Sequence, residues 1–297
     1  MPDRAVRRRV LSQNFLVDRR AIDALVHGSG AGAGDLVVDI GAGNGLISEA
    51  LARRGAQVLA IERDPALVRR LRAKFATWPA VTVLEDDVLT APLPAGPFRA
   101  VANIPFGITT KILRRLLDDD GLVRADLIVQ AEVARKRGTQ GRGTLLNACW
   151  EPWFEFGTGA RIPAAAFRPV PRVETAVLVV TRRDPPLLDP AARREYTAFV
   201  TAGFEGARPT VASALARAIP RDRFAGLARE LGVAAGALPS HLGVDHWVGL
   251  FLAAGPPAAA WRRPGPAGGW ARQCRRPAGA RPVPSPRGSS PTGRTAW

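Results

Sequence analysis

Cysteine is almost absent from this sequence of 297 residues. The two that occur, Cys149 and Cys274, lie far apart and have no histidine or cysteine at metal-ligand spacing. This scarcity excludes a zinc site of the usual kind and a disulfide framework, and it is typical of a reducing compartment. No apolar run approaches the ~18 residues of a membrane span, and the basic start lacks the apolar core of a signal peptide. We therefore expect a cytoplasmic protein without a metal ion.

Lysine is scarce as well, although the chain is strongly basic. Only Lys74, Lys111 and Lys136 are lysines, so arginine carries most of the positive side of a formal net charge of +16. A genome rich in G and C explains the preference for arginine over lysine, but it does not explain the large excess over aspartate and glutamate. Such a charge balance predicts attraction to a polyanion such as nucleic acid.

Short apolar runs alternate with helix-length segments from residue 36 onward. This pattern predicts an α/β fold with a mostly parallel sheet that is covered by helices on both faces. A closing antiparallel pair of strands follows, and the proline-rich link between its members, residues 163–173, is expected to form neither strand nor helix. The predicted strands are 36–41, 57–62, 81–86, 99–104, 125–130, 154–162 and 174–182, and the predicted helices between them are 45–54, 65–76 and 109–117.

After residue 184 the sequence contains few residues that favour strands. Segments 190–203, 210–218, 222–231 and 243–253 read as short helices, which predicts a small helical domain over residues 185–254. Residues 255–297 contain eight arginines and no acidic residue. This segment cannot bury enough apolar surface to fold, so we expect a disordered basic tail. An RNA-binding arm and an idle tail are equally open readings of it.

A glycine turn follows the first predicted strand directly and opens a helix. Gly41, Gly43 and Gly45 let the backbone approach a ligand, and the helix start offers free N–H groups. A dinucleotide fingerprint needs its third glycine where this chain has Leu46, so a nicotinamide cofactor is disfavoured.

Acidic side chains follow at the ends of the next two strands. Glu62 ends the second strand, where a carboxylate can bind both hydroxyls of a ribose, and Asp87 follows the third, where it can accept a hydrogen bond from an adenine amino group. Each feature alone is often structural, but the carboxyl ends of parallel strands meet at one edge of a sheet. Together they predict a pocket for an adenosyl group without phosphates, and S-adenosylmethionine is the expected ligand.

The fourth predicted strand ends in an unusual corner, Asn103-Ile104-Pro105-Phe106. The carbonyl of the Asn103 side chain and the backbone carbonyl of Ile104 can accept the two N–H bonds of an exocyclic base amine. These contacts would favour a tetrahedral nitrogen and stabilise its developing positive charge, while Phe106 stacks on the flipped base. Asn-x-Pro is also common in ordinary turns, so the interpretation depends on the adjacent adenosyl pocket.

Seven motifs occur in order along the chain. They are LSQNFLVD (11–18), DIGAGNGLIS (39–48), AIERD (60–64), DDVL (86–89), NIPFGIT (103–109), VQAEVARK (129–136) and FRPVPRVETAVL (167–178). Together they resemble the ribosomal RNA adenine dimethyltransferase family, and in particular its Erm branch.

The resemblance covers roughly residues 5–250 and implies a class I methyltransferase (Rossmann-like) fold with a seven-stranded sheet. It also implies methyl transfer from S-adenosylmethionine to the N6 amine of one 23S rRNA adenine, which blocks macrolide, lincosamide and streptogramin B antibiotics. Residues 1–184 would form the catalytic domain, and residues 185–254 a small RNA-binding domain.

The resemblance also implies roles for single residues. Glu62 would bind the ribose, Asp87 the adenine amino group, and the backbone of Val88 the adenine ring. Phe167 would form a sandwich with Phe106 around the target base, so the catalytic set is Asn103, Ile104, Phe106 and Phe167. The implied cofactor-binding set is Gln13, Asn14, Leu16, Gly41, Gly43, Gly45, Glu62, Asp87, Val88 and Asn103.

Several alternatives stay open. Many relatives carry tyrosine at the position of Phe106, which leaves mono- against dimethylation undecided. The small-subunit rRNA dimethyltransferases of the KsgA type are the nearest rival, but they usually read Asn-Leu-Pro-Tyr at the corner and Gly-Pro-Gly in the turn. A non-catalytic RNA-binding factor would show an eroded pocket, and a DNA amine methyltransferase would lack the basic segment around Gln13-Asn14-Phe15. We expect a monomer that acts on 23S rRNA before the large subunit is assembled.

Overall fold

The computed structural model describes residues 14–138, 143–205, 210–234 and 236–255. Gln13 and nearly the whole predicted tail, residues 256–297, lie outside these ranges. Within them, the longest apolar helices are too short to pass through a lipid bilayer.

The strands of the described residues are β1 (Phe15–Leu16), β2 (Leu36–Ile40), β3 (Gln57–Glu62), β4 (Val81–Glu85), β5 (Phe98–Asn103), β6 (Leu122–Gln130), β7 (Phe154–Ile162), β8 (Phe167–Arg168) and β9 (Thr175–Arg182). Seven of them form one sheet in the order β4-β3-β2-β5-β6-β9-β7, and a separate small sheet pairs β1 with β8. Strands β2 to β6 run parallel, whereas β9 is antiparallel to both of its neighbours. The strand order reverses between β2 and β5, which is the place where open α/β sheets bind ligands.

The helices cover both faces of the large sheet. Successive residues of β2, Val37 and Val38, are fully buried in two different apolar clusters, one on each face. Local capping fixes the helix starts, as at Asp64, whose carboxylate accepts from the backbone N–H groups of Ala66 and Leu67. The helices are α1 (Arg19–Ser29), α2 (Leu46–Arg53), α3 (Pro65–Lys74), α4 (Thr109–Leu117), α5 (Ala131–Gly138), α6 (Leu145–Trp150), α7 (Arg193–Phe204), α8 (Val211–Ala214), α9 (Arg221–Glu230) and α10 (Val244–Ala254).

The C-terminal helices pack on the end of the sheet through aromatic rings. Trp153 contacts Tyr196 edge to face with the ring centroids 5.5 Å apart. Tyr196 in turn contacts Phe251 at 5.3 Å in the same manner. Such pairs add specific attraction to the burial of large apolar surfaces. The helical segment and the sheet therefore share one apolar cluster.

One element contradicts the expectation for the proline-rich link. Residues Ala164–Ala166 form a 3₁₀ turn, and the next two residues form β8, with Phe167 paired to Leu16 and Arg168 to Phe15. The prediction was wrong because the prolines at 169 and 171 follow the strand, so they remove no N–H group from the two residues that pair. The partner strand lies about 150 residues away in sequence, beyond the reach of local pattern.

Candidate active site

An open cleft lies at the carboxyl ends of β2, β3, β4 and β5. It has about 710 Å³ of empty space, part of which is open solvent. Its walls come from the ends of four strands and from the N-terminal strand β1. The residues that line it are Asn14, Phe15, Ile40, Gly41, Ile61, Glu62, Arg63, Asp86, Asp87, Val88, Asn103, Ile104, Pro105, Phe106 and Ile108.

The glycine turn forms one wall, and its geometry requires glycine. Gly41, Gly43 and Gly45 have φ angles of 69°, 56° and 71°, in the left-handed region that other residues avoid. A Cβ at Gly43 would lie 2.9 Å from a carbon of the Phe15 ring. Gly41 lines the cleft, and Gly43 lines a small side cavity where it packs against the Phe15 ring. Gly45 lines neither, and a Cβ there would instead meet Leu71 and Phe75.

Glu62 is buried at the end of β3, and its carboxylate is already held by backbone donors. One oxygen, Oε2, accepts from the N–H of Gly43 at 3.0 Å, and Oε1 accepts from the N–H groups of Arg63 and Asp64 at 2.8 and 2.9 Å. These bonds fix the orientation of the carboxylate. Oε1 already accepts two hydrogen bonds, whereas Oε2 accepts one and keeps a further lone pair. The predicted ribose acid and the glycine turn are thus directly connected.

Asp87 and Val88 follow β4 on the same edge. One oxygen of the Asp87 carboxylate accepts from the backbone N–H of Leu89 at 3.0 Å, and the other contacts Arg63 Nη1 at 3.3 Å. The Val88 side chain is nearly buried. Both residues line the cleft, as the sequence predicts for the group that recognises the adenine ring.

The side chain of Asn103 has a defined orientation. Its Nδ2 donates to the backbone carbonyl oxygen of Asn14 at 2.7 Å. A carbonyl oxygen accepts but cannot donate, so the amide nitrogen must be the atom that faces Asn14. The carbonyl oxygen of Asn103, Oδ1, consequently points the other way. The amine chemistry predicted for this corner requires an acceptor of this kind.

The aromatic residues of the predicted base sandwich occupy different environments. Phe106 is half-buried and lines the cleft. Phe167 is fully buried, at 0% exposure, in the core beneath the pair of β1 and β8. The contact of Phe167 with the target base stays a prediction. Leu16, its paired residue, is likewise buried and reaches only a small side cavity by the glycine turn.

Three cleft residues carry chemistry that the sequence reasoning did not assign. Phe15 was noted only as part of the Gln-Asn-Phe segment, yet its ring lines the cleft and packs on Gly43. Arg63 and Asp86 stand beside the predicted acids, and that adjacency was the signal available for them. Arg63 matters because its guanidinium contacts Asp87.

The charges of the lining fit a cationic, phosphate-free ligand. Three carboxylates, those of Glu62, Asp86 and Asp87, face a single guanidinium, that of Arg63. Phosphates would be repelled by this set, whereas a ligand with a positive charge would be attracted. Over the residues that the structure describes, no group of three or more metal-binding side chains comes together.

Asp39, near the end of β2, is buried and lines the small side cavity by the glycine turn. Burial raises the pKa of its carboxyl group from 3.8 to about 7, although Ser48 Oγ donates a hydrogen bond to it at 2.6 Å. The folded state thus favours the protonated acid. The unfavourable effect of ionisation is absent below the unfolded pKa, grows as the pH rises, and is complete above about 7.

We expect Asp39→Asn to stabilise the protein at pH 8 by up to about 4 kcal/mol, because the amide removes a buried charge and can still accept from Ser48. At pH 4, where Asp39 is protonated in the folded state, the two proteins should unfold at nearly the same denaturant concentration. Chemical unfolding at both pH values measures this difference. A stabilisation that is equal at pH 4 and pH 8 would contradict the shifted pKa.

Comparison with known proteins adds a family match over most of the chain. The model of the family described as ribosomal RNA adenine dimethylase matches residues 5–253. The mycinamicin-resistance protein MyrB of Micromonospora griseorubida is 39% identical over 245 residues, which cover 82% of this chain and 78% of that protein.

A solved structure of an rRNA methyltransferase is also similar to this chain. The crystal structure of the 23S rRNA methyltransferase ErmE superposes with a TM-score of 0.74 at 34% identity and covers 81% of this chain and 99% of that one.

A small-subunit enzyme is similar in sequence as well. The ribosomal RNA small subunit methyltransferase A of Geobacter sulfurreducens is 31% identical over 266 residues, which cover 84% of this chain and 96% of that protein. Similarity is thus higher to the relative with a resistance name than to this small-subunit enzyme.

Proposed function

Because this chain belongs to the ribosomal RNA adenine dimethylase family, we propose that it methylates the exocyclic N6 amine of one adenine in the peptidyl transferase loop of 23S rRNA. The expected outcome is resistance to macrolide, lincosamide and streptogramin B antibiotics. The names of MyrB and ErmE support this substrate over the small-subunit one. The single observation that carries the reaction is the fixed amide of Asn103, whose carbonyl oxygen is directed away from Asn14 at the edge of the cleft.

The cleft fits S-adenosylmethionine as the cofactor. The glycine turn with Gly41 at the cleft, the buried carboxylate of Glu62 and the acid Asp87 support an adenosyl group without phosphates as the ligand. Glu62 would bind the ribose hydroxyls, and Asp87 with the backbone of Val88 would bind the adenine. An intact set of this kind supports an enzyme rather than a non-catalytic RNA-binding factor.

When bound, S-adenosylmethionine supplies a methyl group that is activated by a positively charged sulfur. The lone pair of an adenine amine is delocalised into the ring, so this nitrogen is a weak nucleophile. Asn103 Oδ1 and the backbone carbonyl of Ile104 accept its two N–H bonds and stabilise the positive charge that develops on it. Pro105 keeps the corner rigid, since its ring fixes φ. Alignment of the amine by these contacts contributes much of the rate.

Phe106 is the ring that stacks on the flipped adenine in this proposal. We expect Phe106→Ala to lower kcat/KM about 30-fold, because stacking of a base on an aromatic ring contributes about 1–3 kcal/mol. Phe106→Tyr keeps the ring and should stay within about threefold of the wild type on the same RNA. Methylation rates on one 23S rRNA fragment measure both variants. Equal losses in the two would show that the aromatic face is not what the substrate needs.

Primer extension across 23S rRNA from cells that express the protein tests the function directly. A stop at one adenine of the peptidyl transferase loop, absent when Asn103→Ala is expressed, is the expected result. A stop at adjacent adenines near the end of the small-subunit rRNA would identify the KsgA-type alternative instead. Mass spectrometry of the same fragment counts the methyl groups, which distinguishes mono- from dimethylation.

The remaining parts of the chain have proposed roles that follow from charge and position. We assign RNA contacts to the helical segment of residues 185–254 and further attraction to the basic tail, although residues 256–297 lie outside the described ranges. The division at residue 184 and action as a cytoplasmic monomer are part of the same proposal. RNA that is not yet assembled into the large subunit is the expected partner.

A further inference from the structure

Lys74 connects helix α3 to the glycine turn beside the cleft. It is the last residue of α3, and its Nζ donates to the backbone carbonyl oxygens of Asn44 and Gly45 at 3.2 and 3.1 Å. The same ammonium forms an ion pair with Glu49 Oε2 at 2.8 Å. Its side chain is 31% exposed, so these contacts are partly shielded from water.

The acceptors of Lys74 belong to the glycine turn. Asn44 and Gly45 are the last two residues before α2, and the turn contains three glycines with positive φ. Glycine has the greatest backbone freedom of all residues, so such a turn has a high entropy to lose when it is ordered. An ammonium that binds two successive carbonyl oxygens removes part of that freedom before any ligand arrives.

The opposite end of α3 lies beside the predicted ribose acid. Asp64 caps the helix start, and its backbone N–H also donates to Glu62 Oε1. Helix α3 therefore spans from the neighbour of Glu62 to the outer side of the glycine turn. The ring of Phe15 packs on the same turn at Gly43. The turn therefore has contacts with both this ring and the Lys74 ammonium.

A cation at the start of a helix is unfavourable by itself, because the helix dipole places positive charge there. Glu49, in the first turn of α2, compensates this cost. The hydrogen bond from Lys74 is the main cause that lowers the pKa of the Glu49 carboxyl group, with Arg53 as the second donor. Glu49 thus compensates the charge of Lys74 beside the start of α2, where a positive charge alone would be destabilising.

We propose that Lys74 is a positioning residue for cofactor binding, which fixes the glycine turn in the conformation that accepts S-adenosylmethionine. The residue touches neither cofactor nor RNA; it acts through the backbone of Asn44 and Gly45. This inference rests on the proposed function for the identity of the ligand. It predicts an effect on the affinity for the cofactor and little effect on the chemical step.

Lys74→Met tests the inference in the full chain. We expect the Kd for S-adenosylmethionine, measured by calorimetry without RNA, to rise about tenfold, because hydrogen bonds from a charged donor are lost. The kcat at saturating cofactor and the KM for RNA should stay within about twofold of the wild type. Amide hydrogen exchange of residues 41–46 in the unliganded protein should be faster. Lys74→Arg, which keeps a charged donor, should restore most of the affinity.

Arg72→Met is the matched control on the same helix. Arg72 pairs with Glu85 at 3.3 Å, and both side chains are largely exposed, so this variant loses an ion pair away from the turn. It should change neither the Kd nor the exchange of residues 41–46. Equal Kd values for Lys74→Met and Arg72→Met would overturn the inference. If the wild type itself fails to bind S-adenosylmethionine, the proposed function is wrong. The hydrogen-exchange experiment would still test whether Lys74 fixes the glycine turn.

Discussion

Asn103→Ala is expected to abolish methyl transfer, with kcat/KM reduced about 1,000-fold, in the range seen when one preorganised group that stabilises transition-state charge is removed. The side chain supplies a carbonyl oxygen whose direction is fixed by the bond from Nδ2 to the Asn14 backbone. Alanine removes both the acceptor for the target amine and the contact that orients it. The amine would then keep its planar, weakly nucleophilic form.

Folding of this variant should be nearly intact, because one neutral hydrogen bond contributes about 0.5–1.5 kcal/mol. Thermal unfolding and transfer of labelled methyl groups to 23S rRNA separate the two effects. Gln57→Ala is a suitable control, since it removes an exposed carboxamide at the start of β3, the opposite edge of the same sheet. Turnover by Asn103→Ala near the wild-type rate would exclude the mechanism, whatever its stability.

Gly43→Ala is expected to weaken binding of S-adenosylmethionine about 100-fold, which equals about 2.7 kcal/mol. The new methyl group would lie 2.9 and 3.0 Å from two carbons of the Phe15 ring, so either the turn or β1 must move. Gly43 also donates its N–H to Glu62, and a shift of the turn would break this bond to the ribose acid. One substitution therefore disturbs three walls of the cleft.

A second glycine separates this clash from ordinary backbone strain. Gly30 ends α1 with a φ of 68°, and a Cβ there would meet no atom within 4 Å. Gly30→Ala carries the cost of a left-handed alanine, about 1–2 kcal/mol, without any contact to the cleft. Calorimetric titration should show normal cofactor affinity for this variant and a large loss for Gly43→Ala. Similar affinities for the cofactor in Gly30→Ala and Gly43→Ala would mean that the Phe15 ring moves to accommodate the new methyl group.

Local pattern predicted most of the large sheet. Segments 57–62, 154–162 and 109–117 match β3, β7 and α4 at both ends. Buried strands appear in the sequence as short apolar runs, and amphipathic helices as apolar residues at helical spacing. The pair of β1 and β8 was missed for the opposite reason. Two residues cannot display a period, and their stability comes from a distant partner.

The residues of the candidate site also fall into those that local sequence predicts and those that depend on distant parts of the chain. Gly41, Glu62, Asp87 and Asn103 were predicted to meet because each stands at the carboxyl end of a parallel strand, and all four line the cleft. The burial of Phe167 could not be predicted, since it depends on a strand that covers it. The hydrogen bond from Asn103 to Asn14 could not be predicted either, because its acceptor is a backbone oxygen, which does not depend on residue type.

That backbone contact joins positions 89 residues apart and has a consequence for inhibitor discovery. Every residue has a backbone carbonyl oxygen, so substitution of Asn14 would leave this hydrogen bond available. A single codon change would therefore not easily give resistance to a drug that targets the contact. A small molecule that separates β1 from β8 would also move Asn14 and Phe15, which line the cleft, so it would disturb the Asn103 amide and the proposed cofactor site together.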